Sequence, residues 1–423
     1  MRKLLIIAAV VLAFSSCRKA PDYVPYMGEK SELSYGKYAE QFDLIWNNIN
    51  RGYVFWDVDK TDWDEVYKKY KPEFESFDNR VEAGETIATS ELQELYDNAM
   101  GGLKDHHMSI QVKNLHGDGS DNGLVTVNPA NNEVKNRDYY YKGYNGLLEE
   151  IGECNVNLTD NQDYAIVESA AVHVEDLNVV ICYMLFQLPD GRLIPYLWQT
   201  GYYMSKIINS AENPESPYYD AAQLINRWLE VTTETEDPEI NIAGIILDNR
   251  CNLGGMMSDT DFVLSAFIKS DVTPFSTRYK EGPGRLEHSV WQPKTIKTKE
   301  YSRDIAAENI PYVVLSNIYS VSMGEITSYC ISKMPTGYMI GERTFGATGP
   351  LLPANLISLT YSGSFGNIDT ENHYVYTSTF ELKTNDGFVP EGIGFTPHKE
   401  MLTKNVGVKA QLEEAIKYIT NYK

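Results

Sequence analysis

Ser322 stands in Ser320-Val321-Ser322-Met323-Gly324-Glu325, after the apolar run Tyr312 to Leu315; Asp248-Asn249-Arg250-Cys251-Asn252-Leu253-Gly254-Gly255 follows a second run, Ile242 to Leu247. A serine where a strand gives way to a helix is placed to be a nucleophile, because the helix N-terminus favours negative charge developing on a reacting carbonyl. A serine hydroxyl reacts poorly at neutral pH, so this chemistry requires a base. The same position also suits a plain helix N-cap, for which serine is preferred. Glycines after a strand let backbone N–H groups approach a ligand closely, which makes Gly254, Gly255 and Met323 candidate oxyanion-hole donors. Asp248, Arg250 and Asn252 read as braces of that loop through hydrogen bonds and an ion pair. A phosphate-binding loop competes for the glycines, but neither a GxGxxG nor a GKS/T pattern is present.

Both apolar runs are short, rich in β-branched residues and closed by polar or glycine residues, as buried parallel strands are. From Ile242 the order is strand, glycine loop, helix (Thr260 to Ser270), strand, helix (Ser322 to Met334), strand (Tyr338 to Gly341). This alternation predicts a mixed α/β protein with a parallel-strand core and ligands at the strand ends. Asn355 to Tyr361 and Tyr374 to Thr384 read as an added, hairpin-like β region, and Lys409 to Tyr418 as a closing helix.

Upstream, Tyr38, Phe42, Ile45, Trp46 and Ile49 recur at helical steps, and Trp63, Val66, Tyr67 and Tyr70 repeat the stripe. Ser90 with Gln93 resembles a capping box opening a third helix that ends at Gly101-Gly102. These segments predict a helical domain over 34–104 and an α/β core over 241–423. Between them, 105–240 is a mixed strand and helix region whose architecture the sequence leaves open: Val179 to Leu185 and Leu193 to Tyr203 suggest strands, Asp190-Gly191 a turn and Ala221 to Glu230 a helix.

The chain has 423 residues, a hydrophobic fraction of 43% and a formal charge of -22, which implies folded domains and argues against a nucleic-acid partner. Arg2 and Lys3 precede the apolar stretch Leu4 to Phe14, and Ser15-Ser16-Cys17 follows. That stretch is too short to span a bilayer as a helix, which needs about 20 residues. It resembles a bacterial lipoprotein signal over 1–16, which implies lipid attachment at Cys17, a tether over 17–33 and membrane anchoring; an ordinary secretory signal is the alternative. Export permits disulfides among Cys154, Cys182, Cys251 and Cys330, but their spacing shows no metal pattern, and buried thiols fit equally well. No metal or cofactor is expected from motifs of this sequence, and it leaves the oligomeric state open.

Four segments in order, Leu103-Lys104-Asp105-His106-His107, Asp248 to Gly255, Ser320 to Glu325 with Gly341-Glu342-Arg343-Thr344-Phe345-Gly346, and Glu391-Gly392-Ile393-Gly394-Phe395-Thr396-Pro397, resemble the superfamily of C-terminal processing peptidases, the tricorn protease core and the interphotoreceptor retinoid-binding protein repeats. The resemblance implies a ClpP/crotonase-like core, Ser322 as nucleophile and a peptide or protein substrate. One branch supplies a lysine base from the segment matching Thr344 to Gly349, which contains no lysine here. The tricorn-like branch uses a histidine, matching His107, with Glu391 as the acid that orients it. Adjacent His106 is the alternative base, since neighbours on an extended segment point opposite ways. Glu325 reads as a helix-start partner. No PDZ pattern is visible between 115 and 240, and the retinoid-binding branch implies that a noncatalytic binder can share this fold.

Overall fold

The computed structural model describes residues 36–119, 122–300, 302–351, 361–366 and 373–423. The expected leader at 1–16, Cys17, the tether at 17–33 and nearly all of the strand expected at Asn355 to Tyr361 lie outside these residues.

The N-terminal stripe forms α1 (Tyr38–Gly52), which buries Tyr38, Phe42, Ile45 and Ile49 against α2 (Trp63–Glu82). Phe42 stacks on Phe74 with ring centroids 4.4 Å apart, and the Asp62 carboxylate caps α2 by accepting the Glu65 N–H. The third helix, α3 (Thr89–Met100), starts one residue before the expected Ser90. Gln93 does not cap it: its amide exchanges hydrogen bonds of 2.9 and 3.0 Å with the Thr126 backbone. Those bonds tie α3 to a small antiparallel sheet opened by β1 (Ser109–Lys113) and β2 (Leu124–Val127).

Two helices, α4 (Pro129–Lys135) and α5 (Tyr144–Val156), lead to β3 (Ala165–Val174), β4 (Val179–Gln187) and β5 (Leu193–Gln199), successive antiparallel neighbours. The Asp190-Gly191 turn joins the last two, with Gly191 at φ 87°. After α6 (Met204–Ile208) and α7 (Tyr219–Thr233), β6 (Ile245–Asp248) pairs parallel with β5. The sheet thus runs through the expected boundary at 240/241, and three strands of the 105–240 region extend the core. Next come α8 (Met257–Ser265), nearer the glycine loop than expected, then β7 (Val272–Arg278) and β8 (Gln292–Ile296), followed by β9 (Tyr312–Ser316), α9 (Met323–Ser332) and β10 (Gly337–Gly341).

The chain closes with β11 (Phe365–Gly366), β12 (His373–Tyr376), β13 (Glu381–Thr384), β14 (Lys399–Glu400) and α10 (Thr403–Asn421). The seven-stranded sheet has the order β14-β10-β9-β6-β5-β4-β3. The β stretch expected at Tyr374 to Thr384 divides in two: β12 pairs antiparallel with β11 and β1 in one sheet, and β13 joins β7 in another. The closing helix is longer than expected and breaks at Gly407, φ 79°.

Alternation along the central strands accounts for the layers. Ile245 and Leu247 of β6, with Tyr312 and Val314 of β9, face α7, α8 and α9, where Trp228, Val263 and Ile326 are buried. Ile246, Val313 and Leu315 face α5 and α10, where Ile151, Leu412 and Ile416 are buried. A strand covered on both faces must be apolar throughout, which is why these runs are continuous in the sequence.

Candidate active site

The ends of β6 and β9 are locked together by side chains from the loops that follow them. Ser320 Oγ donates to the Asn249 carbonyl at 2.7 Å, and the Asn249 amide donates to Ser328 Oγ at 2.9 Å and to the Gly324 carbonyl at 3.2 Å. Arg250 and Asp248 are fully buried and ion-paired at 2.6 Å; Arg250 also donates to the Val408 carbonyl and Gln411, while Tyr196 donates to Asp248. Asn252 Nδ2 donates to the Gln199 carbonyl at 2.9 Å. All three predicted braces lie under the loop and none is exposed.

Ser322 has φ 53° and ψ −123°, a conformation costly for a residue with a Cβ. An N-cap residue ordinarily has extended backbone and spends its side chain on the helix. Ser322 does neither: no side-chain cap bond is formed, and Glu325 instead accepts the Ser322 N–H at 3.1 Å. Its hydroxyl is thereby left for other chemistry. Gly254, at φ 88°, lies against it so closely that a Cβ there would stand 2.6 Å from Ser322 Cβ and 2.8 Å from the Met323 N. The Gly254 N–H donates to Asn252 Oδ1 at 2.8 Å, which changes its expected role. Gly254 serves by lacking a side chain, and Gly255 and Met323 remain the candidate oxyanion donors.

Glu325 does more than start a helix. Its Oε1 also accepts from the Ala347 N–H, and its Oε2 accepts from Thr344 Oγ1 and the Gly346 N–H, at 2.7–2.8 Å. Burial pushes this carboxyl up to about 7, opposed by those donors. Ser-x-x-Glu spacing shows the helix-start half of this role; the other partners come from a distant segment, so no local signal reveals them.

On the other side of that segment, Glu391 Oε2 accepts from the Thr348 N–H and hydroxyl and the Gly349 N–H, while Oε1 accepts the His106 N–H at 2.8 Å. The 344–349 stretch therefore bridges Ser322 and the histidine segment through two buried carboxylates. Burial, then the charge of Asp105, raises the Glu391 carboxyl well above its ordinary value.

The two histidines separate cleanly. His106 is buried, its Nδ1 lies 3.2 Å from the Phe345 carbonyl and its Nε2 lies 3.8 Å from Glu133, so its ring is occupied away from Glu391. Burial lowers it to about 4, leaving it neutral. His107 is partly exposed as a residue, and its Nδ1 is buried without a partner. One ring nitrogen of His107, one Asp105 oxygen and one Glu391 oxygen lie within 4.8 Å of one another. Burial lowers the His107 pKa, partly offset by Asp105. Asp105, for which no sequence motif indicates a role, accepts the His107 N–H at 2.9 Å and the Ser378 N–H at 2.7 Å. It fixes the backbone that presents the imidazole.

All four described cysteines are free thiols, three of them buried; Cys251 sits in the loop at φ 57°.

A strained serine at a strand-to-helix turn, glycines pressed against it and a histidine segment joined to it by carboxylates define a serine-type peptidase. The resemblance to the processing-peptidase and tricorn superfamily is borne out: residues 225–401 match the model of peptidase family S41, and residues 34–87 match the Tricorn protease C1 domain. No curated protein matches the sequence. Among solved structures, the chain is similar to a candidate peptidase of Parabacteroides merdae at 17% identity and a TM-score of 0.59, over 90% of this chain and 96% of that one. It is also similar to mature CPAF, solved in complex with lactacystin, at 12% identity and a TM-score of 0.57, over 91% and 98%. At these identities the likeness extends to the fold.

Proposed function

We propose that this protein is an exported, lipid-anchored serine endopeptidase. Ser322 Oγ attacks the scissile carbonyl, His107 takes its proton and returns it to the leaving amine as the C–N bond breaks, the oxyanion is held by the Gly255 and Met323 N–H groups, and water then hydrolyses the acyl-enzyme, its proton passing through His107 back to Ser322 Oγ. Glu391 orients the imidazole from beside it. The observation that carries this reading is the Ser322 backbone, held in a costly conformation by Gly254 and Glu325 while its hydroxyl has no cap bond. Leu253 and Met256 stand about half exposed beside the glycines and supply an apolar wall for the substrate.

Cleavage of an unstructured protein such as casein by the purified chain tests the activity: internal fragments are expected from wild type and none from Ser322→Ala. A folded wild type that leaves casein intact counts against it. The anchor reading rests on Arg2-Lys3, Leu4 to Phe14 and Cys17. Membrane association in a bacterial host is expected to be lost in Cys17→Ser, and a variant that still floats with membranes refutes attachment there.

A second reading, a noncatalytic binder of peptides or apolar ligands, is favoured by one observation. Both oxygens of Glu391 are held by backbone and Thr348 donors, and His107 Nδ1 has no partner. Peptide binding that is indifferent to Ser322→Ala, without cleavage, supports it.

A further inference from the structure

The helical N-terminal region meets the three-stranded sheet β13-β7-β8 along a seam of polar side chains. Arg285 reaches Asn50 and Asp64, and Arg278 bridges Asp57 and Glu381. Within this seam, one atom each from Asp57, His288 and Glu381 lie within 4.8 Å of one another.

Two features set this cluster apart from an ordinary ion-pair network. Glu381 is fully buried and its Oε1 has no hydrogen-bond partner, while its Oε2 accepts from Arg278 Nε at 2.6 Å. A buried carboxylate oxygen left unpaired is unfavourable unless something occupies it. His288 Nε2 lies 2.8 Å from the Val54 carbonyl. A carbonyl can only accept, so Nε2 carries the proton and Nδ1 keeps its lone pair, the arrangement by which backbone carbonyls orient metal-binding imidazoles. Arg278 holds one oxygen of each carboxylate, leaving the other oxygen of each to bind.

We propose that Asp57, His288 and Glu381 form a site for one first-row divalent cation such as Zn2+, clasping the helical region to the β13-β7-β8 sheet. One imidazole nitrogen and two carboxylate oxygens match the donors of zinc, with bonds of about 2.0–2.2 Å that draw the three side chains slightly together. The site is invisible to cysteine and histidine spacing because its ligands come from three distant segments.

The test is titration of the tag-free, EDTA-treated chain with Zn2+ alone, read by calorimetry and by metal content after gel filtration. One equivalent is expected in wild type and in His107→Ala, with at least a 10-fold loss of affinity in His288→Ala and Glu381→Gln. Retention in His107→Ala separates this site from the Asp105, His107 and Glu391 cluster. Absence of binding to folded wild type at 100-fold excess, or binding lost in His107→Ala and kept in His288→Ala, overturns the proposal. If either ligand variant fails to fold, the wild type and His107→Ala titrations decide.

Discussion

The two halves of the active site are built differently. On the serine side, position is set by backbone: Ser322 is pressed by Gly254, its N–H is held by Glu325, the two strand ends are bolted by Asn249 and Ser320, and the Asp248–Arg250 pair ties the loop to β5 and α10. On the histidine side, side chains set position. Glu391 and Asp105 are spent on backbone N–H groups, and His107 Nδ1 is left unpartnered beside them. On the proposed mechanism the nucleophile is therefore preorganised by packing, whereas the base is steered by carboxylates that have other obligations. Catalytic hydrogen bonds commonly tighten only when substrate is bound, so in the proposed mechanism substrate completes the histidine half.

This contrast can be broken from the serine side. Arg250→Ala leaves Asp248 buried and unpaired and is expected to cost about 3–5 kcal/mol of stability, read by urea unfolding. A loss below about 1 kcal/mol means the pair is not a brace. Gly254→Ala is expected to cost about 1–3 kcal/mol through overpacking at a positive φ, and to lower kcat/KM by about 100-fold or more because the new Cβ displaces Ser322 or Met323. Unchanged kcat/KM in that variant contradicts the close approach.

The smallest expected effect sharpens the histidine side. His107 must be neutral to accept a proton, and burial lowers its pKa from the ordinary 6.5. The acid limb of kcat/KM is therefore expected to have its midpoint below 6.5, with activity retained as pH falls from 7 toward that value. A midpoint above 6.5 means that a neighbouring carboxylate charge, rather than burial, dominates.

How much of this was legible in the sequence follows the same division. β6 and β9 announce themselves because both faces are covered and every residue must be apolar. β3, largely exposed along its length, carries no such run and leaves no comparable signal in the sequence. Tyr374 to Thr384 is continuous in sequence but divides between two sheets, because its centre, Thr377 and Ser378, is tied to Asp105. Ser322, His107 and Glu391 were named from motifs. The second role of Glu325 was hidden, since Thr344, Gly346 and Ala347 become its partners only in the folded chain. That the Gly254 N–H is taken up by Asn252 Oδ1 depends likewise on where Asn252 points.

The most direct test of the central claim, that Ser322 is an activated nucleophile served by His107, is labelling of the purified protein by a fluorophosphonate probe at matched circular dichroism. The account predicts rapid labelling of wild type, none of Ser322→Ala, and labelling slowed by about 1,000-fold or more in His107→Ala. Folded wild type that does not label, or Ser322→Ala that does, contradicts it.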